Sequence, residues 1–481
     1  MFKLNAQGGA DQGGLLDWEF VDEGLGLLMT IPAEPRLFHS GAAITAEDVQ
    51  FNWDRALGRA AYNPDFGGLA ELPDIGDVTI VDASSVHLAT PSPEVGLPPQ
   101  AGGMQFYSKA LIEENGDQWA AQNPIYGTGP FRFDGWTPDQ EIHSVRNDDY
   151  WQPRLELENP SGATGLPYFK NLTTTWIPEP QARIAALEVG ELDFAGQIPW
   201  DLAKEFEGDE DFAIHTHSAA RGLYVAFPKN KANNPLNPDE PNPFADKRVR
   251  IALNLAVDVQ EIIDTIQTGR EDFTYTLAVG QFGHHPEFPN VRWGFDPERA
   301  KALLAEAGYP DGFEMNIHHP SGLYTGVAQF MQAVANDLRD IGMTVNLFSE
   351  ELNIYFESVE NREQPNPFLF IEPANDPLFS IRLVTHSTGI FVHTNDGLPG
   401  SPGSDVTMEV DALAEQAYVE FDDAKREALL QELALKHYED ASWLYLFELI
   451  QPHVSTSRVL WPQFANKPGG IEYSNFRLLK A

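Results

Sequence analysis

The chain has 481 residues, too many for one hydrophobic core, so two or three lobes are expected. Its net charge is -41, from 72 acidic against 31 basic side chains; a field of that sign repels phosphates and anionic lipid heads, so no nucleic acid or anionic membrane surface is expected as a partner. Cysteine is absent, which excludes disulfides, thiolate metal sites, iron–sulfur clusters and cysteine nucleophiles.

The acidic excess is spread along the chain rather than gathered in a tail. That pattern suits a halophilic setting, where counterions screen self-repulsion, and equally an acidic secreted protein. No apolar run is long enough to span a bilayer, and the first residues, MFKLNAQGGADQGG, lack the apolar stretch of a signal peptide.

In chain order, ITAEDVQFNWDRAL predicts a helix over 44–57, with Thr45 as N-cap and Asp48 completing a capping box. DVTIVDASSVHLAT predicts a hairpin of two short strands. FRFDGW and EIHSVRN alternate as strands, TTTWIPEP is another, and a helix over 181–189 is followed by a short strand at 192–194. Strand, helix, strand in that order suggests a crossover unit. After the Asn/Pro-rich loop NKANNPLNPDEPNPFAD, KRVRIALNLAVDVQEIIDTI and FDPERAKALLAEAGY each predict one helix, the second with Pro297 in its first turn and Gly308 at its end. FEMNIHH and MTVNLFS predict strands flanking a helix in GVAQFMQAVANDLRDIG, and FLFIEP a buried strand. Residues 411–440 predict one long amphipathic helix, and WLYLFELI a returning strand.

The motif search is mostly negative. GTGP, residues 127–130, lacks the Gly-Lys-Ser/Thr of a phosphate loop and precedes a strand rather than a helix; two glycines and a proline make it a sharp corner. Neither HExxH nor GxSxG occurs. His284-His285 and His318-His319 are neighbours whose side chains point to opposite faces of a strand, so neither pair is a local chelate and no metal is expected. No catalytic constellation or cofactor motif emerges.

FHSGAAITAEDVQFNW, YGTGPFRF with the following RNDDYW, QARIAALEVGELDFA, FADKRVRIALNLAVD and FDPERAKALLAEAGYPDGFE occur in that order. Together they resemble the extracellular solute-binding proteins of ABC importers, in the peptide/nickel class. The resemblance covers the chain from about residue 16 onward and implies an α/β fold of two lobes closing on a ligand across a hinge. It implies a first lobe of 1–225 plus 447–481, with an extra subdomain at about 28–125, and a second lobe of 226–446. The chain would cross between lobes near 223–227 and 446–450. Members have several tens of residues before the strand matching 15–20, so the first lobe is expected to be incomplete at its N-terminus, with an unpaired sheet edge.

Capture of a small extracellular solute, most directly an oligopeptide or dipeptide, and delivery to an ABC permease follow from the resemblance. So does a non-enzyme that binds rather than catalyses, a monomer without cofactor, periplasmic or extracellular at the outer face of the cytoplasmic membrane, its signal or anchor missing from this chain. Alternatives are an oligosaccharide- or metal-chelate-binding member, a ligand sensor, and a secreted carbohydrate-active enzyme with paired carboxylates. By resemblance Tyr224, Phe370, Tyr445 and Phe447 are aromatic walls of the pocket. Ser321 and Tyr324 lie on a loop that reaches the ligand, and Trp200 follows a strand lining the cleft. For each aromatic, core packing is the competing role. Peptide binders of the class hold the ligand's α-ammonium with an Asp where this chain has Pro373. Glu372 beside it and Asp376 beyond it are the carboxylates available to take over; a slip of one residue would aim Glu372 at the other face.

Overall fold

The computed structural model describes residues 3–4, 10–12, 14–59, 74–102, 104, 106–116, 127–151, 167, 169–229, 231–269, 273–275, 282–285, 288, 293–321, 326–361, 364–371, 376–389, 392, 404–460 and 477–478. Its backbone is mixed α/β, organised around a six-stranded sheet. Two long strands, Phe212–Ala226 and Trp443–Thr456, lie antiparallel at one side of this sheet, with Phe194–Ala195 outside them. Phe368–Ile371 pairs antiparallel with the first long strand, and Glu314–Pro320 and Thr344–Glu350 extend the sheet in parallel.

Trp443 to Leu449 of the returning strand are all buried, which is why WLYLFELI is apolar apart from Glu448. Alternate residues feed two separate cores. Leu223, Val225, Leu444 and Leu446 pack on one face, and Tyr224, Ala226, Trp443 and Tyr445 on the other. The alternation is broken midway, because the register shifts between Ser218 and Gly222 and again between Gly222 and Tyr224. The extra residue on the returning strand lets consecutive Leu446 and Phe447 reach the same core. At the same place Gly222 leaves no room for a Cβ, which would collide with Thr274 Oγ1, and Phe273 bridges to Phe447.

A four-stranded antiparallel sheet holds Asp17–Val21, Gly26–Thr30, Ser85–Ala89 and Val78–Ile80, covered by helix Ala46–Ala56. The helix begins as its residues dictate: Thr45 Oγ1 accepts from Asp48 N, and the Asp48 carboxylate accepts from Thr45 N. Trp53, Val49, Leu27 and Leu88 share its core. The Gly-Thr-Gly-Pro corner is architectural: Gly127 O accepts from His39 N, Gly129 O from Asn147 Nδ2, and His39 Nε2 also lies 3.0 Å from Gly129 O. Beyond it Phe131–Thr137, Glu141–Arg146 and Asn171–Thr175 form a separate three-stranded sheet.

Three expectations need correction. The strands flanking helix Pro180–Glu188 join different sheets, Asn171–Thr175 the three-stranded one and Phe194–Ala195 the six-stranded one, so they form no crossover unit. The helix expected after the Asn/Pro-rich loop is two, Lys247–Ala256 and Val259–Thr265, because Asp258 caps a new start by accepting from Glu261 N. The long helix over 411–440 is also two, Ser404–Val419 and Asp423–Glu439, with Asp422 accepting from Ala424 N and Lys425 N. In both cases an Asp inside an amphipathic run competes for backbone donors and wins a cap.

Candidate functional site

A cavity of about 350 Å³ opens where the N-terminal four-stranded unit meets the second half of the chain. Trp18, Phe20, Val95, Pro98 and Pro99 wall it on one side. Phe282, Asp376, Leu378, Phe421 and Arg426 wall it on the other. Apolar side chains and prolines alternate in the lining with the charged Asp376, Asp423 and Arg426, so the site offers both apolar and polar surface.

Asp376 is its most perturbed group. It sits at the N-cap of helix Pro377–Val384, where Oδ1 accepts from Leu378 N at 2.9 Å and Phe379 N at 3.1 Å. The Asp-Pro step is a sequence signal for such a start. The residue is only 9% exposed, and burial pushes its carboxyl up to about 7; the two backbone bonds and Arg426 offset part of that cost, while Glu94 adds to it. Arg426 is committed elsewhere: it pairs with Asp423 at 2.5 Å and its guanidinium lies 5.0 Å from the centre of the Phe282 ring.

Other candidate residues lie apart from this cavity. Tyr224, Phe370, Tyr445, Phe447 and Trp200 are each at most 4% exposed and packed in three hydrophobic cores. Tyr224 stacks on Trp443 and tilts against Phe370. The Tyr445 hydroxyl donates to His437 O at 3.2 Å and lies 3.0 Å from His437 Nδ1, and burial lowers that imidazole's pKa to about 3. Phe447 meets Phe330 edge-on. Trp200 packs with Ile198 and Val454. Ser321 is exposed at the carboxyl end of the central parallel strand, its N–H donating to Glu350 O. Tyr324 and Glu372 lie outside the described residues.

The His318-His319 pair divides as expected for a strand. His318 Nδ1 meets Glu350 Oε1 at 2.5 Å and stacks on Phe348, while His319 is buried and turned toward Pro320 O. Among the described residues no group of three or more acids and histidines is placed to hold a metal. Within the same limits no helix is long and apolar enough to cross a membrane.

Sequence reasoning missed the residues that join the two walls. Glu94 accepts from Arg382 Nη2 at 2.8 Å, Arg382 lies over the Tyr418 ring, and Phe421 meets Phe20 edge-on. No local pattern marks them, because each pair is far apart in sequence and sits in an otherwise ordinary helix or loop.

Comparison with known proteins agrees with this architecture. A glutathione-binding protein of Pectobacterium atrosepticum is 26% identical over 351 residues, covering 70% of this chain and 60% of that protein. Thus the chain matches less than two thirds of that relative's length. The dipeptide-binding protein of a Pseudoalteromonas species, solved with Met-Leu, superposes with a TM-score of 0.77 at 20% identity, covering 99% of this chain and 93% of that one. The NikA protein of Brucella suis, solved with Fe(III)-EDTA, gives the same TM-score, identity and coverage. These likenesses establish the fold as that of the two-lobed periplasmic binding proteins. The profile described as "Bacterial extracellular solute-binding proteins, family 5 Middle" matches residues 37–377, and the chain belongs to that family.

Proposed function

We propose that this protein is the solute-capturing component of an ABC importer, holding a short peptide between two lobes and passing it to a membrane permease. The observation that carries this reading is the cavity between the two halves of the chain, with the Asp376 carboxyl in its wall. Its volume of about 350 Å³ falls within the usual range of about 300–1,000 Å³ for small-molecule sites. Asp376 replaces the Asp that peptide binders of the class carry at the position of Pro373. The ligand's ammonium would sit against Asp376, with Trp18, Phe20 and Phe421 offering aromatic faces nearby.

The lobe division follows the same reading: 1–225 with 447–481, including a subdomain near 28–125, against 226–446. The hinge is the irregular stretch around Gly222 and Glu448, where the two long strands lose register. A solute that prefers the closed arrangement shifts the population toward it. Tyr224, Phe370, Tyr445, Phe447 and Trp200 act through packing around that hinge. The protein works as a monomer outside the cytoplasmic membrane, without catalysing a reaction, and its acidic surface suits high salt.

The test is a thermal-shift panel in low and high salt. It contains di- to pentapeptides, their N-acetylated forms, oligosaccharides and nickel chelates. Free peptides are expected to raise Tm, N-acetylated peptides much less, and Asp376→Asn is expected to abolish the difference. A shift with sugars or chelates alone would replace the peptide assignment. Silence across the panel would overturn solute capture.

A further inference from the structure

Two helices begin at the same end of the six-stranded sheet. Strands Glu314–Pro320 and Phe368–Ile371 are parallel neighbours, and helices Val327–Asp340 and Pro377–Val384 start a few residues beyond their carboxyl ends. The first helix packs by Phe330, Met331 and Val334 on one face of the sheet, the second by Leu378, Ile381 and Val384 on the other. In open α/β sheets the crevice outside the carboxyl ends of the strands is where ligands bind. The two helix starts differ in chemistry. Asp376 closes one with its own carboxylate, accepting from Leu378 N and Phe379 N. The other begins at Gly326, which holds φ +76, and no side chain among the described residues caps it.

Beside that open start stands a further donor rather than an acceptor. Gln267 is 4% exposed, and its Nε2 is buried without a hydrogen-bond partner, 4.0 Å from the point a Cβ on Gly326 would occupy. Its backbone N–H already donates to Ile262 O and Ile263 O, near the end of helix Val259–Thr265. The neighbouring Thr268 hydroxyl is also buried without a partner. Val327, the first residue of its helix, is 6% exposed, so this end lies inside the protein. Among the described residues nothing accepts from Val327 N or Ala328 N. Helix N–H groups and a side-chain amide each cost free energy when buried without an acceptor, and a single oxyanion between them satisfies both. The helix dipole adds to the attraction. One turn into the helix Phe330 meets Phe447, next to the place where the long strands lose register.

We propose that the start of helix Val327–Asp340 and the Gln267 side-chain amide form the subsite that takes the carboxylate of the captured solute. The chain carries 72 acidic side chains, yet among the described residues none is bonded to the Gln267 amide, so its donors are left for a carboxylate from outside. Asp376 and this subsite then receive opposite charges at the same end of the sheet, and a zwitterionic solute is held in one direction. A peptide with a free C-terminus fits; its C-terminal amide, uncharged and bringing donors to a place already full of them, does not. The inference rests on the reading of solute capture, but part of its test needs no peptide.

Calorimetric titration of the full chain with the dipeptide Ala-Leu and with its C-terminal amide reads the discrimination. The parent is expected to bind the acid at least about tenfold more tightly than the amide. Gln267→Leu keeps the bulk and loses the donor, and is expected to cut that ratio to about threefold or less. Asp376→Asn is expected to weaken both ligands and leave the ratio unchanged, because it acts at the other helix. Gln267→Glu supplies the carboxylate from the chain itself; it is expected to raise Tm without solute and to abolish the preference for the acid. Sodium formate, compared with sodium chloride at equal ionic strength, separates a free carboxylate from the solute's own. Formate is expected to raise the Tm of the parent and not that of Gln267→Glu. Peptides that bind with no preference between acid and amide would overturn the subsite and leave solute capture standing. If neither peptide binds, capture of a peptide fails, and the carboxylate subsite holds only with both the formate response and the Tm gain of Gln267→Glu; the absence of either overturns it. A Gln267→Leu protein that loses Tm yet keeps the full preference would show that the amide caps the helix through its carbonyl, which would overturn the subsite as well.

Discussion

Tyr224 and Trp443 lie face to face on the two long strands, ring centroids 3.7 Å apart and planes within 5° of parallel. Their strands are antiparallel neighbours, and the rings meet diagonally, since Tyr224 pairs with Tyr445 and Ala226 with Trp443. His437 packs against the edge of the same tryptophan. The stack therefore ties the outgoing chain, the returning chain and the preceding helix into one core. Tyr224→Ala is expected to cost about 3–5 kcal/mol, the range for truncating a large buried aromatic. Urea unfolding followed by tryptophan fluorescence measures it; a loss under about 1 kcal/mol would mean the core closes over the gap.

Asp376 makes stability depend on pH in a defined direction. Its folded-state pKa, about 7, lies above the ordinary aspartate value of 3.8, so folding favours the protonated form. The stabilising contribution of that proton is complete below pH 4 and is lost as pH rises through 7. Asp376→Asn keeps the helix cap and removes the ionisation. Its stability relative to the parent is expected to improve between pH 5 and pH 8 by a few kcal/mol, on the order of what such a shift carries. Denaturation at several pH values checks it, and parallel curves for the two proteins would contradict it. A cationic solute should bind the parent more tightly as pH rises through the same window.

Asp440 holds two buried cations. Lys229 Nζ donates to Asp440 Oδ2 and, at 2.9 Å, to Ser442 Oγ, while Arg250 Nη2 donates to Asp440 Oδ1 at 2.9 Å. Burial alone would raise the Asp440 pKa, but Lys229 and Arg250 outweigh it and keep the carboxylate ionised. Asp440→Asn removes the carboxylate that joins the two buried cations, leaving only Asp246 near Arg250, and is expected to cost about 3–5 kcal/mol. Lys229→Met with Arg250→Met and Asp440→Leu together should recover much of that loss. Equilibrium unfolding of the set decides it; an Asp440→Asn protein as stable as the parent would show that the network is worth little.

Gly24 tests the contact between the two walls of the cavity. Gly24→Ala adds a methyl group where Phe421 sits and strains a positive φ. A loss of about 2 kcal/mol or more is expected from the clash and the strain together. In the Phe421→Ala background the added methyl should cost only the backbone strain, about 1 kcal/mol. Urea unfolding of the four proteins measures both costs, and an equal cost in the two backgrounds would exclude a steric origin.

Much of the fold is legible in single residues. Thr45 and Asp48 announce a helix start, Pro297 another, and the Asp82-Ala-Ser-Ser turn a hairpin, because caps and turns are local chemistry. Each of the two split helices reads as one because Asp258 and Asp422 sit in runs whose apolar spacing continues past them. Which sheet a strand joins is not local, so nothing in the sequence separates Asn171–Thr175 from Phe194–Ala195. The candidate site divides the same way. Asp376 stands out as a carboxylate three residues beyond Pro373, where the resemblance puts the ligand-holding Asp, whereas Glu94 and Arg382 gain meaning only from a contact across 288 residues of chain.

The long antiparallel pair has a consequence for how the protein is made. His215 on the first strand meets Ser455 on the second, 240 residues later. A ribosome adding about 5–20 residues per second needs roughly 10–50 s to deliver the second strand after the first has emerged. Throughout that interval Phe212–Ala226 presents unpaired backbone groups and an apolar face with no native neighbour on that side. The pairing also joins residues half the chain apart, and non-local pairing of this kind slows folding. Destabilising the returning strand should therefore reduce the yield of soluble protein more than it reduces the stability of molecules that have already folded.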